Sequence, residues 1–103
     1  MEFAEFLLHY EQFDREFCPN ADLDDVECKC LEEMEELAEV IAYEKPLEMR
    51  IEECLDVMNM TIKLLTRYGV KDPLGAGVLK LELTAEKYRE RDGNGKTTNG
   101  TGL

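Results

Sequence analysis

The sequence predicts an all-α protein: a four-helix protomer with an antiparallel hairpin of its two central helices, dimerising into a larger helical bundle. Three observations carry this expectation. Apolar residues recur at three- and four-residue intervals through four separate stretches. Helix breakers fall between those stretches, at Pro19-Asn20, at Pro46, and at Gly69 followed by Asp72-Pro73. The one alternating run, Val78 to Thr84, has no hairpin partner and lies in a long stretch, so it is read as helix.

The first helix is expected over Met1 to Phe17, where Phe3, Phe6, Leu7, Tyr10, Phe13 and Phe17 share one face. Such a stripe most often fills a core. The second begins at Asp24, with Glu27 completing a capping-box-like pair, and runs to about Lys45. Pro46 opens the third, which runs from Leu47 to about Tyr68 with Gly69 as its stop. So short a break between the second and third helices requires an antiparallel hairpin. Asp72-Pro73 starts the fourth helix, which continues to about Arg91 and carries a basic row of Lys80, Lys87 and Arg91. Residues 1–92 then form one helical domain, and 93–103, rich in Gly, Asn and Thr, form a flexible tail. Gly95-Lys96-Thr97 has the look of a Walker A ending, but the first glycine would fall at Glu90 and no strand precedes it, which excludes a P-loop.

At 103 residues the domain is near the lower size limit for a self-sufficient core, so association is expected to help it. Twelve Lys and Arg stand against 24 Asp and Glu, a formal charge of −12, which argues against a surface for nucleic acid or an anionic membrane. No apolar run is long enough to span a bilayer, and no signal peptide is read at the start, so the cytoplasm is the expected compartment. Cys18, Cys28, Cys30 and Cys54 contain no CxxC pair, and the single histidine, His9, is distant from them; they read as reduced thiols and not as a zinc site.

The chemistry is carried by carboxylates. Glu36 and Glu39 lie three apart before Pro46, and Glu53 and Asp56 lie three apart after it. On helices each pair projects from one face, with Cβ atoms roughly 5–6 Å apart. On the second helix Leu31, Met34, Leu37, Ala38 and Ile41 form an apolar stripe with Glu32, Glu36 and Glu39 roughly opposite. Taken alone, that is an ordinary solvated face. The third helix differs, because Ile51, Cys54, Leu55, Met58 and Ile62 make one stripe while Val57, Met60 and Leu64 share the side of Glu53 and Asp56. A helix apolar on two faces is buried between layers, which places Glu53 and Asp56 inside, and no Lys or Arg from Ile51 to Ile62 pairs with them. A hard divalent cation, Mg²⁺ or Mn²⁺, resolves the charge.

Glu35-Glu36-x-x-Glu39 followed by Glu53-x-x-Asp56 resembles the paired signature of the MazG-like, all-α nucleoside triphosphate pyrophosphohydrolases, over roughly Leu31 to Tyr68. The resemblance implies cleavage of a nucleoside triphosphate between the α and β phosphates, with Mg²⁺ held by Glu36, Glu39, Glu53 and Asp56 and with Glu35 orienting or deprotonating water. It further implies a homodimer or tetramer, a base pocket drawing on His9, Tyr10 and Phe13, and phosphate contacts from Lys87 and Arg91. Asn59 and Lys63 are further candidates for substrate contact. Two rivals stand beside it: a phosphoribosyl-ATP pyrophosphohydrolase, and a non-catalytic acidic helical adaptor dimer.

Overall fold

A computed structural model of the chain describes residues 2–93. Four α-helices follow one another, α1 Phe3–Phe17, α2 Leu23–Ala42, α3 Leu47–Arg67 and α4 Pro73–Gly93, with no strand among the described residues. The all-α, four-helix expectation holds, and the alternating run Val78 to Thr84 lies within α4. Apart from Gly93, the expected tail lies outside the described residues. No described helix is long and apolar enough to cross a membrane.

Local chemistry sets the helix ends. Asp22, and not Asp24, caps α2: its carboxylate accepts from the Asp25 N–H at 2.9 Å, and the Asp25 carboxylate accepts from the Asp22 N–H at 3.0 Å. α2 stops at Ala42, short of the expected Lys45, because Glu44 turns left-handed with φ 50°. The Glu44 N–H then reaches the Ile41 carbonyl at 3.1 Å and the Lys45 N–H the Val40 carbonyl at 2.9 Å, a Schellman closure. Gly69, with φ 94°, ends α3 the same way, its N–H bonding the Thr66 carbonyl and the Val70 N–H the Leu65 carbonyl, both at 3.0 Å. One motif closes both helices, on a glycine in one case and against a Cβ in the other. Arg50 Nε donates to the Lys45 carbonyl at 2.7 Å, tying the turn to the start of α3.

The chain divides into two compact units, Met1–Leu64 and Leu65–Leu103. The second comprises the end of α3, the Gly69 turn and α4, which Asp72 caps by accepting from the Gly75 N–H at 3.0 Å. In the first, Tyr10 meets Met60 and Asp14 meets Lys63, so α1 and α3 run parallel. The short turn between Ala42 and Leu47 folds α3 back along α2, and Glu33 meets Glu53 and Asp56 across that hairpin.

What the hairpin turns inward differs from the wheel expected for α2. Val26, Cys30, Glu33 and Val40 are buried, with Leu37 half-buried among them, a spacing of four, three, four and three. Of the stripe expected to face the core, Leu31, Met34, Ala38 and Ile41 are exposed and only Leu37 is sheltered. On α3 the sheltered row is Arg50, Glu53, Val57, Met60 and Leu64, while Ile51, Cys54, Leu55 and Met58 face out. Buried apolar side chains among the described residues are Val26, Cys30 and Val40, a thin interior. The register that sets Glu33 beside Asp56 sets Leu31 level with Met58 and Met34 level with Leu55. The outward apolar surface therefore spans both helices.

Candidate metal centre

Each of Glu33, Glu53 and Asp56 brings one carboxylate oxygen within 4.8 Å of the other two. Glu33 is carried there by the inner face of α2, and Glu53 and Asp56 by consecutive turns of α3. Glu33 is only 7% exposed, and its Oε2, like Glu53 Oε2, is buried without a hydrogen-bond partner. Ionised oxygens buried with nothing to donate to them are costly, and a hard cation satisfies several at once. The donor set therefore fits Mg²⁺ or Mn²⁺. Repulsion within the cluster also reaches Glu36. The Glu33 charge, then desolvation, then the Glu53 charge raise its carboxyl above the ordinary 4.5, and a hydrogen bond with Glu33 favours its protonated form.

Lys29 stands one turn before Glu33, its Nζ 3.1 Å from Glu33 Oε1 and 3.5 Å from Glu32 Oε2. These carboxylates hold the ammonium above its ordinary 10.5, the hydrogen bond to Glu33 acting most strongly.

Glu33, Asp56 and Lys29 also line a cleft of about 580 Å³ built by the first unit. Its α1 wall is aromatic, formed by Phe6, Tyr10 and Phe13 within a row Phe3, Phe6, Tyr10, Phe13 and Phe17 whose successive ring centroids are 6.0, 5.9, 6.2 and 4.9 Å apart. Phe13 remains 52% exposed, so this stripe walls an open cleft instead of filling a core. The Tyr10 hydroxyl donates to Met60 Sδ at 3.7 Å, and burial, followed by the Asp14 charge, pushes its pKa from 10.0 up to about 12. From α3 come Asn59, whose Oδ1 is buried without a partner, and Lys63, which donates to Asp14 at 2.9 Å.

Of the predicted site residues, the structure gathers Glu53 and Asp56 and places Glu36 in their field; Glu53 is half-buried, but Asp56, expected inside, is exposed because the Ile51–Leu55 side of α3 faces out. Glu35 and Glu39 are exposed on α2 and do not belong to the gathered group. Glu33, outside the predicted set, takes the central place. The spacing Glu-Glu-x-x-Glu occurs twice in overlap, at Glu32, Glu33, Glu36 and at Glu35, Glu36, Glu39. A turn centred on Glu44 and Lys45 sets Glu33 level with Asp56 and Glu36 level with Glu53, which selects the earlier copy. Counting outward from Glu44–Lys45 gives this register, whereas counting from Pro46 would set Glu36 level with Asp56 and Glu39 level with Glu53. His9, Tyr10, Phe13, Asn59 and Lys63, the candidates for substrate contact, all line the cleft. Lys87 and Arg91 belong to the second unit, where the Arg91 guanidinium lies 4.6 Å from the Tyr88 ring centroid. All four cysteines are free thiols, Cys30 buried and Cys28 and Cys54 exposed.

Comparison with protein-family models, with curated proteins and with solved structures finds no match for this chain.

Proposed function

We propose that the protein is a Mg²⁺-dependent nucleoside triphosphate pyrophosphohydrolase, with Mn²⁺ as a substitute ion. One observation carries the reading: two antiparallel helices converge three carboxylates within 4.8 Å, two of them with buried unpartnered oxygens, and two of the three line an aromatic-walled cleft. Glu33, Glu53 and Asp56 would hold the cation, with Glu36 beside them as a fourth carboxylate. When bound, such an ion neutralises phosphate oxygens and makes a water more acidic.

The chain's own residues supply the rest. Phe6, Tyr10 and Phe13 offer ring faces to a base, and the Asn59 amide offers its edge a hydrogen bond. Glu36, an exposed carboxylate three residues beyond Glu33 on α2, takes a proton from the attacking water, a role moved here from Glu35. The water oxygen bonds to the α phosphorus, the bond from that phosphorus to the α–β bridging oxygen breaks, and pyrophosphate leaves with the electron pair. The monophosphate remains. The active form is a homodimer in which a second copy covers the outward face of Leu31, Met34, Ile51, Leu55 and Met58.

The test is pyrophosphate release from a panel of ribo- and deoxyribonucleoside triphosphates with Mg²⁺ and Mn²⁺, beside Glu33→Gln and Glu53→Gln. Release from any substrate, lost in both variants, is the expected result. With silence across the panel, phosphoribosyl-ATP is the next substrate to assay. Silence there overturns the reading and leaves a non-catalytic helical adaptor.

A further inference from the structure

The Lys29–Glu33 pair is out of place as a surface helix contact. A lysine four residues before a glutamate is the less favourable order along the helix dipole, and Glu33 is buried while Lys29 is half out in solvent. The lysine therefore gains its partner from the cluster, where three carboxylates crowd together and one oxygen of Glu33 is left without a donor. Lys29 and Lys63 are the two lysines lining the cleft, and Lys63 is engaged by Asp14. Lys29 is thus the cation of this cleft that stands on the carboxylate cluster itself.

We propose that Lys29 is a built-in competitor for the divalent cation: it occupies Glu33 in the metal-free protein and is released toward an anionic ligand of the cleft when the ion binds. This rests on the metal-site reading above. A divalent ion near Glu33 repels the ammonium and removes its partner, while the four-carbon stem is long enough to swing the charge into the adjoining cleft. Metal binding then turns a lysine spent on the protein's own carboxylate into one available to a phosphate chain. Metal and polyphosphate bind with positive coupling as a result, even before any chemistry.

The experiment is Mn²⁺ binding followed by electron paramagnetic resonance, on the full chain and without nucleotide, for wild type, Lys29→Met and Lys29→Arg. Lys71→Met serves as a control, since it removes an equal charge at an exposed site in the other unit. Lys29→Met is expected to bind Mn²⁺ about three- to fivefold more tightly, from the loss of one partly exposed ion pair. Lys29→Arg and Lys71→Met should stay near wild type. Calorimetric titration of inorganic tripolyphosphate into the Mn²⁺-saturated proteins should then show weaker binding to Lys29→Met than to wild type. Unchanged Mn²⁺ affinity in Lys29→Met, or equal tightening in Lys71→Met, overturns the competition. Unchanged tripolyphosphate affinity overturns the release. Absence of Mn²⁺ binding in every variant overturns this inference together with the metal site, whereas a chain that binds Mn²⁺ as expected but hydrolyses nothing leaves it standing and removes only the proposed activity.

Discussion

Lys63 on α3 donates to Asp14 on α1 at 2.9 Å, with 7% of the lysine side chain and 25% of the aspartate exposed. This pair fastens α1, and with it the aromatic wall, to the helix that carries Glu53 and Asp56. Removing the aspartate takes the carboxylate from a buried ammonium that also lies 6.0 Å from the Tyr10 ring centroid, whereas replacing the lysine by an apolar chain of similar length leaves a carboxylate that still reaches water. Asp14→Ala is expected to cost about 2 kcal/mol of stability, less than a wholly buried pair because Asp14 is partly solvated. Lys63→Met should cost under about 1 kcal/mol. Urea unfolding of the two variants measures the asymmetry, and equal losses would show that the pair is held no more tightly than a surface contact.

Acid should steady the metal-free protein before it harms it. The folded chain holds the Glu36 proton more tightly than the unfolded chain, whose carboxyl titrates near 4.5. Stability contributed by that proton is complete below 4.5 and is lost as pH rises through the higher folded value. Glu36→Gln should remove this part of the pH dependence, and thermal unfolding between pH 4 and 7 reads it. Tyr10 follows the same sign at the alkaline end: between 10.0 and about 12 the unfolded chain ionises first, so stability falls, and Tyr10→Phe should flatten that decline.

The turn between α2 and α3 holds Glu44 at φ 50°, where a Cβ is strained, while the matching position after α3 holds Gly69. Glu44→Gly relieves roughly 1–2 kcal/mol of left-handed strain and loses part of it to the freer unfolded chain, for a net gain of roughly 0.5–1 kcal/mol. Gly69→Ala should run the other way by a similar amount. The melting temperatures of both variants check the pair of signs.

The outward apolar face predicts association. Leu55 is 49% exposed and level with Met34, itself 49% exposed, in the middle of that face. Leu55→Glu should convert a dimer to monomers in sedimentation velocity while leaving the helical circular dichroism in place. A chain that sediments as a monomer before the substitution would remove the dimer from the proposal.

The four helices were legible because their apolar periodicity is interrupted at Pro19, Pro46 and Gly69 by residues with a local reason to stop a helix. The sheltering of Glu53 was legible too, since Val57 and Met60 made its side of α3 apolar, but the same reading placed Asp56 inside and it is exposed. Glu33 was not legible. A wheel identifies the inside of a helix only when one face is apolar, and α2 has an apolar residue on nearly every side: Val26, Cys30 and Val40 on one, Leu31, Met34 and Ile41 on another. The larger side chains mark the outward surface here. In a fold with so thin an interior, the bulkiest apolar stripe lies outside and the smaller residues close the hairpin.

The Schellman closure at Glu44 also fixes something more general about the cluster. Glu33 and Asp56 meet because a set number of residues separates Ala42 from Leu47. One inserted residue there would advance α3 by roughly 100° about its own axis. Glu53 would take the exposed position of Cys54, Asp56 the half-buried position of Val57 and Leu55 the cleft-lining position of Asp56, with every acidic residue still present in the chain. Loop length is therefore the phase setting of the site, and sequences that share these carboxylates are best sorted by the spacing across this turn before their acidic residues are compared.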